Sequence, residues 1–106
     1  MYATVRRYEN VSDADEAGRE VNESFVPLLS RIPGFVSYNW IDAGGGVMIS
    51  TGIFQNKAGA DESNRKAAEW ISRHSTLLPK PVNVTAGEVV AYEAIENVDS
   101  PFSWQD

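Results

Sequence analysis

With 106 residues, 42% hydrophobic and 10% aromatic content, the chain is expected to be one domain with a buried core, not a disordered segment. Its formal net charge of -6 argues against a nucleic-acid partner, because neutralising phosphates takes a basic face. It has no cysteine, no apolar N-terminal core like that of a signal peptide and no run near the ~20 apolar residues of a membrane span. That composition removes thiol chemistry and disulfides, and it predicts a cytoplasmic protein with no membrane partner.

In chain order, Tyr2 to Glu9 reads as a first strand, with Thr4, Val5 and two tyrosines. Arg6 and Arg7 are adjacent, so one should reach each face of the sheet. Arg6, on the side of Tyr2, Thr4 and Tyr8, could hold an anion or a carboxylate. The commoner outcome is that both arginines end in surface ion pairs. Ser12 is the expected N-cap of a first helix, with Asp13, Asp15 and Glu16 in the first turn, where the helix dipole favours acids. Ala17, Gly18, Val21, Phe25, Leu28, Leu29 and Ile32 follow at spacings of three and four, one apolar stripe. Pro27 lies inside this pattern and predicts a kink or a break.

Pro33-Gly34 ends the helix. Phe35 to Asp42 and Val47 to Phe54 read as strands two and three, joined by Gly44-Gly45-Gly46 into an antiparallel hairpin. Strand two places Phe35, Ser37, Asn39 and Ile41 on one side and Val36, Tyr38, Trp40 and Asp42 on the other. Strand three places Val47, Ile49, Thr51 and Ile53 opposite Met48, Ser50, Gly52 and Phe54. Neither strand has a plainly polar face. The sheet should therefore be covered on both sides, and one layer of helices covers only one.

A second helix starts at Asn56 or Asp61 and runs to about Ser75 or Leu78, with an apolar stripe of Ala60, Ala67, Ala68, Ile71 and Leu78. Trp70 is expected in the core. Asn64 and His74 are ten residues apart and are expected to share a face, about 15 Å from each other along the axis. Pro79-Lys80-Pro81 makes a stiff connector. Val84 to Ala94 is the fourth strand, and Gly87 suggests a bulge or a close approach there. One domain thus spans residues 1–95. Residues 96–106 form a polar tail in which Phe102 and Trp104 could dock on a partner subunit. No metal-like cluster and no motif for nucleotide binding, a catalytic triad or phosphate capture is present.

The order β-α-β-β-α-β is the ferredoxin-like arrangement, an α+β fold with a four-stranded antiparallel sheet and two helices on one face. Three features are more specific. Ile32-Pro33-Gly34-Phe35 opens strand two, Gly52-Ile53-Phe54 closes the hairpin, and the second helix carries Ser63-Asn64-Arg65 and Ala67-Ala68 between Ala60 and Trp70. On these, Tyr2 to Ala94 resembles the dimeric α+β barrel superfamily, and within it the antibiotic-biosynthesis-monooxygenase-like proteins. The resemblance implies a homodimer with two sheets packed face to face, and a pocket in each subunit between sheet and helices.

It also implies oxidation of an aromatic small molecule without a cofactor. Haem stays open, because haem-degrading relatives pair a strand-three Trp with an iron-binding His on a helix. Cofactor-independent relatives carry an Asn and a Trp four residues apart on strand three; the aligned positions here are Ser50 and Phe54. The expected ligand pocket draws on Tyr38, Trp40, Ser50 and Phe54, with His74 as proton acceptor and Asn64 as its catalytic companion. Asn39 lies on the opposite face of strand two, so it cannot share one pocket with Tyr38 and Trp40, and one of the two sets is expected at the dimer interface. The competing reading is a non-enzymatic dimeric barrel, stress-associated or ligand-binding, and the missing Asn and Trp favour it. Fold likeness alone does not decide between the two.

Overall fold

In a computed structural model that describes residues 1–95, strand β1 (Tyr2–Tyr8) is followed by helix α1 (Ala14–Glu20), a π-helical stretch (Val21–Phe25) and helix α2 (Val26–Ser30). The hairpin of β2 (Phe35–Gly44) and β3 (Val47–Phe54) comes next, then α3 (Lys57–Arg73) and β4 (Asn83–Glu88). The four strands pair antiparallel in the order β2-β3-β1-β4, the ferredoxin-like topology expected from the sequence. The tail beyond residue 95, with Phe102 and Trp104, lies outside the described residues.

The first helical segment starts one residue later than the sequence suggested. Asp13, not Ser12, is the N-cap: its Oδ1 accepts the Glu16 amide at 3.0 Å. Pro27 does not break the segment. The turn before it widens instead, with the Val26 amide donating to the Val21 carbonyl in an i to i+5 bond. A proline ring crowds the carbonyl four residues back, and the wider turn relieves that clash. The extra residue also rotates the apolar stripe. Val21, Phe25 and Leu29 stay buried, while Leu28 turns outward to 36% exposure.

Sheet register decides which side chains face the helices. Arg6 stands opposite Ser50 on β3 and Val84 on β4, and Thr4 opposite Gly52 and Ala86. Thr4, Arg6, Tyr8, Met48, Ser50 and Phe54 are all buried on the helix side. Tyr38 and Trp40 of β2 join them, packing on Phe25 and Tyr8 with ring centroids 5.8 and 5.1 Å apart. The other face carries Val5, Ile41, Ile49, Thr51 and Ile53. Among the described residues no helix lies over it, and Val5 and Ile41 are 39% and 44% exposed. The helices thus cover one apolar face and leave the second open.

Two glycines are needed for close approach. Gly46 has φ +82°, and a Cβ there would meet the Val11 carbonyl oxygen at 3.1 Å, in the turn where the Val11 amide bonds the Gly46 carbonyl. Gly59, in the first turn of α3, lies against Phe54, whose Cβ and ring a Cβ would meet at 3.1–3.3 Å. Asn56 caps α3 by accepting the Gly59 amide at 3.0 Å, so the earlier of the two expected starts is the real one.

β4 is shorter than expected and begins earlier. Its ladder with β1 ends at the pair Tyr2 and Glu88, and one more bond, from the Val89 amide to the Met1 carbonyl, follows it. The register is continuous through Gly87, and a Cβ there would meet nothing within 4 Å among the described residues, so there is neither bulge nor close approach.

Candidate functional site

Helix α3 lies over β1 and β3, and the first helical segment lies over β2. Among the described residues, the helix side of β4 is left without a helix of its own. The gap forms a cavity of about 500 Å³. Its walls are mostly apolar: Ala67, Ala68 and Ile71 of α3, Leu78, Pro79 and Pro81 of the connector, and Val84 of β4. Five groups add polarity, with Asn64, Ser72 and Ser75 on the α3 side, Lys80 in the connector and Arg6 from the sheet. A concave, apolar volume of this size with a few convergent polar groups is typical of small-molecule sites.

Arg6 is the unusual member. It is 2% exposed, and no carboxylate lies within ion-pair distance of it among the described residues. Its Nη1 donates to Asn64 Oδ1 at 2.5 Å and to Thr4 Oγ1 at 3.2 Å, and Thr4 Oγ1 in turn donates to Asn64 Oδ1 at 3.2 Å. Among the described residues its Nε has no partner, and the buried Ser50 Oγ and Tyr38 hydroxyl are also without one. The Tyr38 hydroxyl lies close to Arg6 and Ser50 but makes a hydrogen bond of ordinary geometry with neither. The expectation that both arginines end in surface ion pairs is therefore overturned. Arg7 does pair with Glu9 at 2.9 Å on the surface, whereas strand alternation turns Arg6 inward, where α3 covers it.

The two phenols beside Arg6 are held neutral. Burial pushes Tyr8 up to about 12 from 10.0, against an opposing pull from the Arg6 charge, and burial likewise raises Tyr38. An unfolded chain releases these protons near pH ~10, while the folded chain keeps them. Above that pH the unfolded state binds fewer protons, so stability falls as pH rises toward the folded values. Full stability is thus expected below pH ~10, with a loss from Tyr8 alone of about 2–3 kcal/mol by pH ~12. Denaturation midpoints measured across that alkaline range should fall steeply for the wild type and less steeply for Tyr8→Phe. Parallel slopes would show that Tyr8 ionises normally.

Of the residues singled out in the sequence, Asn64 lines the cavity and touches Arg6. His74 does not line it. Ten residues at ~100° each leave the two about 80° apart around the helix, so they do not share a face as expected. His74 closes α3 on the side of the first helical segment. Its ring stacks on Trp70 at 3.9 Å and 19°, and its Nε2 lies 3.5 Å from Glu20 Oε1. Its Nδ1 lies 2.7 Å from the Trp70 carbonyl oxygen, which only accepts, so Nδ1 carries the proton. Trp70 is buried as expected, and its Nε1 donates to Ser24 Oγ at 2.8 Å.

With one ring nitrogen bonded to a carbonyl, the other facing a carboxylate and the ring stacked on an indole, His74 does not suit an axial haem ligand. Among the described residues there is also no cluster of three or more His, Asp or Glu that could hold a metal ion.

Phe54 is fully buried between Phe35 and Gly59 and is part of the core, not of the cavity wall. Ser50 is fully buried in the sheet layer, opposite Arg6 on one side and Trp40 on the other. Tyr38 and Trp40 border a separate groove of about 330 Å³ with Gly18, Val21 and Asn22, at the edge of the sheet, and the Trp40 Nε1 has no partner among the described residues. Asn39 projects to the open face, 3.4 Å from Thr51 Oγ1. Sequence reasoning missed the connector as a wall of the site. The signal was Pro79 and Pro81, which stiffen it, with Lys80 between them.

No family model matches the chain, and no curated protein matches it. Solved structures do. A protein of unknown function from Nitrosomonas europaea superposes with a TM-score of 0.71 at 21% identity, covering 91% of this chain and 95% of that one. A candidate antibiotic biosynthesis monooxygenase from Chloroflexus aurantiacus gives 0.66 at 14% identity, over 89% and 97% of the two chains. A monooxygenase of Streptomyces coelicolor, in complex with nanaomycin D, gives 0.61 at 14% identity over 89% of each. The chain therefore shares the ferredoxin-like fold of these structures, two of which are described as monooxygenases, and this is the fold that the sequence resemblance implied. Among the described residues, no helix is long and apolar enough to cross a membrane.

Proposed function

We propose that this protein binds an aromatic small molecule in the cavity beneath α3 and oxidises it in the manner of a cofactor-independent monooxygenase. The observation that carries this reading is the cavity of about 500 Å³ with apolar walls and the hydrogen-bonded pair of Arg6 and Asn64 on one side. The likeness to a monooxygenase structure in complex with nanaomycin D supports it. Oxidation of a phenol by dioxygen without a cofactor starts from the electron-rich oxyanion. A buried guanidinium in a water-poor site favours that anion over the neutral phenol. Asn64 fixes the guanidinium in place. The functional unit is a domain over residues 1–95, working as a homodimer, and a chain without cysteine suits the cytoplasm.

One observation favours a second reading, passive ligand binding. The ionisable side chains lining the cavity among the described residues are Arg6 and Lys80, and neither serves as a proton acceptor. The base would then be solvent or the ligand itself.

The test is a panel of polycyclic phenols, followed by quenching of tryptophan fluorescence and by oxygen uptake. Binding with uptake supports the enzyme, binding without uptake supports the passive barrel, and no binding removes both. We expect Asn64→Ala to weaken binding about tenfold, equivalent to ~1.4 kcal/mol. His74→Ala should bind like wild type. If His74→Ala alone abolishes turnover while remaining folded, the reacting site is elsewhere.

A further inference from the structure

We propose that the cavity selects a negatively charged ligand, an aromatic carboxylate whose carboxyl group is held by Arg6. This deepens the small-molecule reading above and rests on it.

Arg6 is 2% exposed, lines the cavity and has no carboxylate within ion-pair distance among the described residues. A buried guanidinium does not escape this cost by losing its proton, as a lysine does. Buried charges are normally paired, and an unpaired one is expensive to keep. The groups that surround this one are neutral: Thr4 and Asn64 take its Nη1, and Ser50 stands opposite it in the sheet. The Tyr8 and Tyr38 phenols beside it are neutral at neutral pH, as tyrosines ordinarily are, and burial moves both further from ionising. The Nε, the Ser50 Oγ and the Tyr38 hydroxyl are three buried polar groups in the same layer, without a partner among the described residues. All three can donate, and only the guanidinium among them carries a charge.

The rest of the chain does not explain the charge as a general attraction for anions. The net charge is -6, so the positive potential is local to this wall, with Lys80 as the second cation lining the cavity. The apolar walls of Ala67, Ile71, Leu78 and Val84 suit a ring system, and a planar carboxylate suits the fork of an arginine. A ligand with an aromatic body and one carboxylate satisfies both halves of the site. The same arrangement discriminates against a neutral amide of equal shape, which leaves the guanidinium without a counter-charge.

The experiment compares 2-naphthoate with 2-naphthamide, two probes of nearly equal shape, by calorimetry on the full chain, with 2-naphthol as a neutral phenol. The expected result is that wild type binds the carboxylate at least tenfold tighter than the amide. Arg6→Gln should bind the two equally, and Arg6→Lys should recover part of the preference. Equal binding of carboxylate and amide by wild type overturns the inference while the small-molecule reading stands. Binding of none of the three overturns both. Lys80→Ala keeps the test decisive if the Arg6 variants do not fold. A preference that survives Lys80→Ala supports Arg6 as the anchor, and one that disappears places the anion at Lys80 and overturns the proposal.

Discussion

Phe25→Ala should lower the unfolding free energy by about 3–5 kcal/mol, the range for removing a buried aromatic ring. Phe25 is 3% exposed and ends the π-helical stretch. Its ring lies 5.3 Å from that of Trp70 on α3 and 5.8 Å from that of Tyr38 on β2, so it joins three elements at one point. The surroundings have little freedom to collapse into the gap. Trp70 is tied by its Nε1 to Ser24, and its outer face is occupied by His74. The cost should therefore lie toward the upper end of the range. Small domains hold only about 5–15 kcal/mol in total, so the variant should approach the threshold of unfolding at 37 °C, a temperature at which ~5 kcal/mol is decisive. Chemical denaturation monitored by tryptophan fluorescence measures it. An unchanged midpoint would show that the ring contributes nothing to the core.

In sedimentation at micromolar concentration, the wild type should run at twice the 11.7 kDa mass of the chain, and Ile53→Lys should run as a folded monomer. The argument is the sheet face that carries no helix among the described residues. Val5 and Ile41 are 39% and 44% exposed there, beside Ile49 and Ile53 of a central strand. Exposed apolar patches are characteristic of interaction surfaces, which is why a second copy is expected here. Among the polar residues of the same face, Asn39 donates to Thr51 Oγ1 at 3.4 Å and Thr85 donates to Asn83 Oδ1 at 2.8 Å. In a two-fold contact each protomer would bring its own introduced ammonium group, so the substitution would bury two unpaired charges in the interface. In the monomer the same group stays in water, so folding is spared. A monomeric wild type would mean that the open face faces solvent.

The cavity and the dimer separate in these tests. The cavity is formed within one chain by β1, β4, α3 and the connector, so ligand binding should survive Ile53→Lys. Phe25 is not on its wall, and Phe25→Ala should affect ligand affinity only through the folded fraction.

The periodicities of this chain by themselves determined its elements and their order. Alternation in Tyr2–Tyr8 and Val47–Phe54, the triple glycine between β2 and β3, and the stripe from Ala17 to Leu29 depend on neighbours in sequence, and local sterics and patterning decide them. The same alternation also showed that Arg6 and Arg7 must point to opposite faces. What only the tertiary structure decided is which face would be covered. Whether Arg6 is buried depends on α3 crossing β1, a contact between residues 58 positions apart that no local pattern encodes. The position of His74 was lost for a related reason. A helix advances by about 100° per residue, so ten residues do not restore a face, and the stacking on Trp70 and the approach of Glu20 then fix the ring away from the cavity. Phe54 reads as a pocket residue by its place on strand three, but Gly59 brings α3 so close that its ring is enclosed. The end of β4 was not legible in local pattern either: strand propensity continues through Val89 and Val90, but the ladder with β1 ends at Glu88.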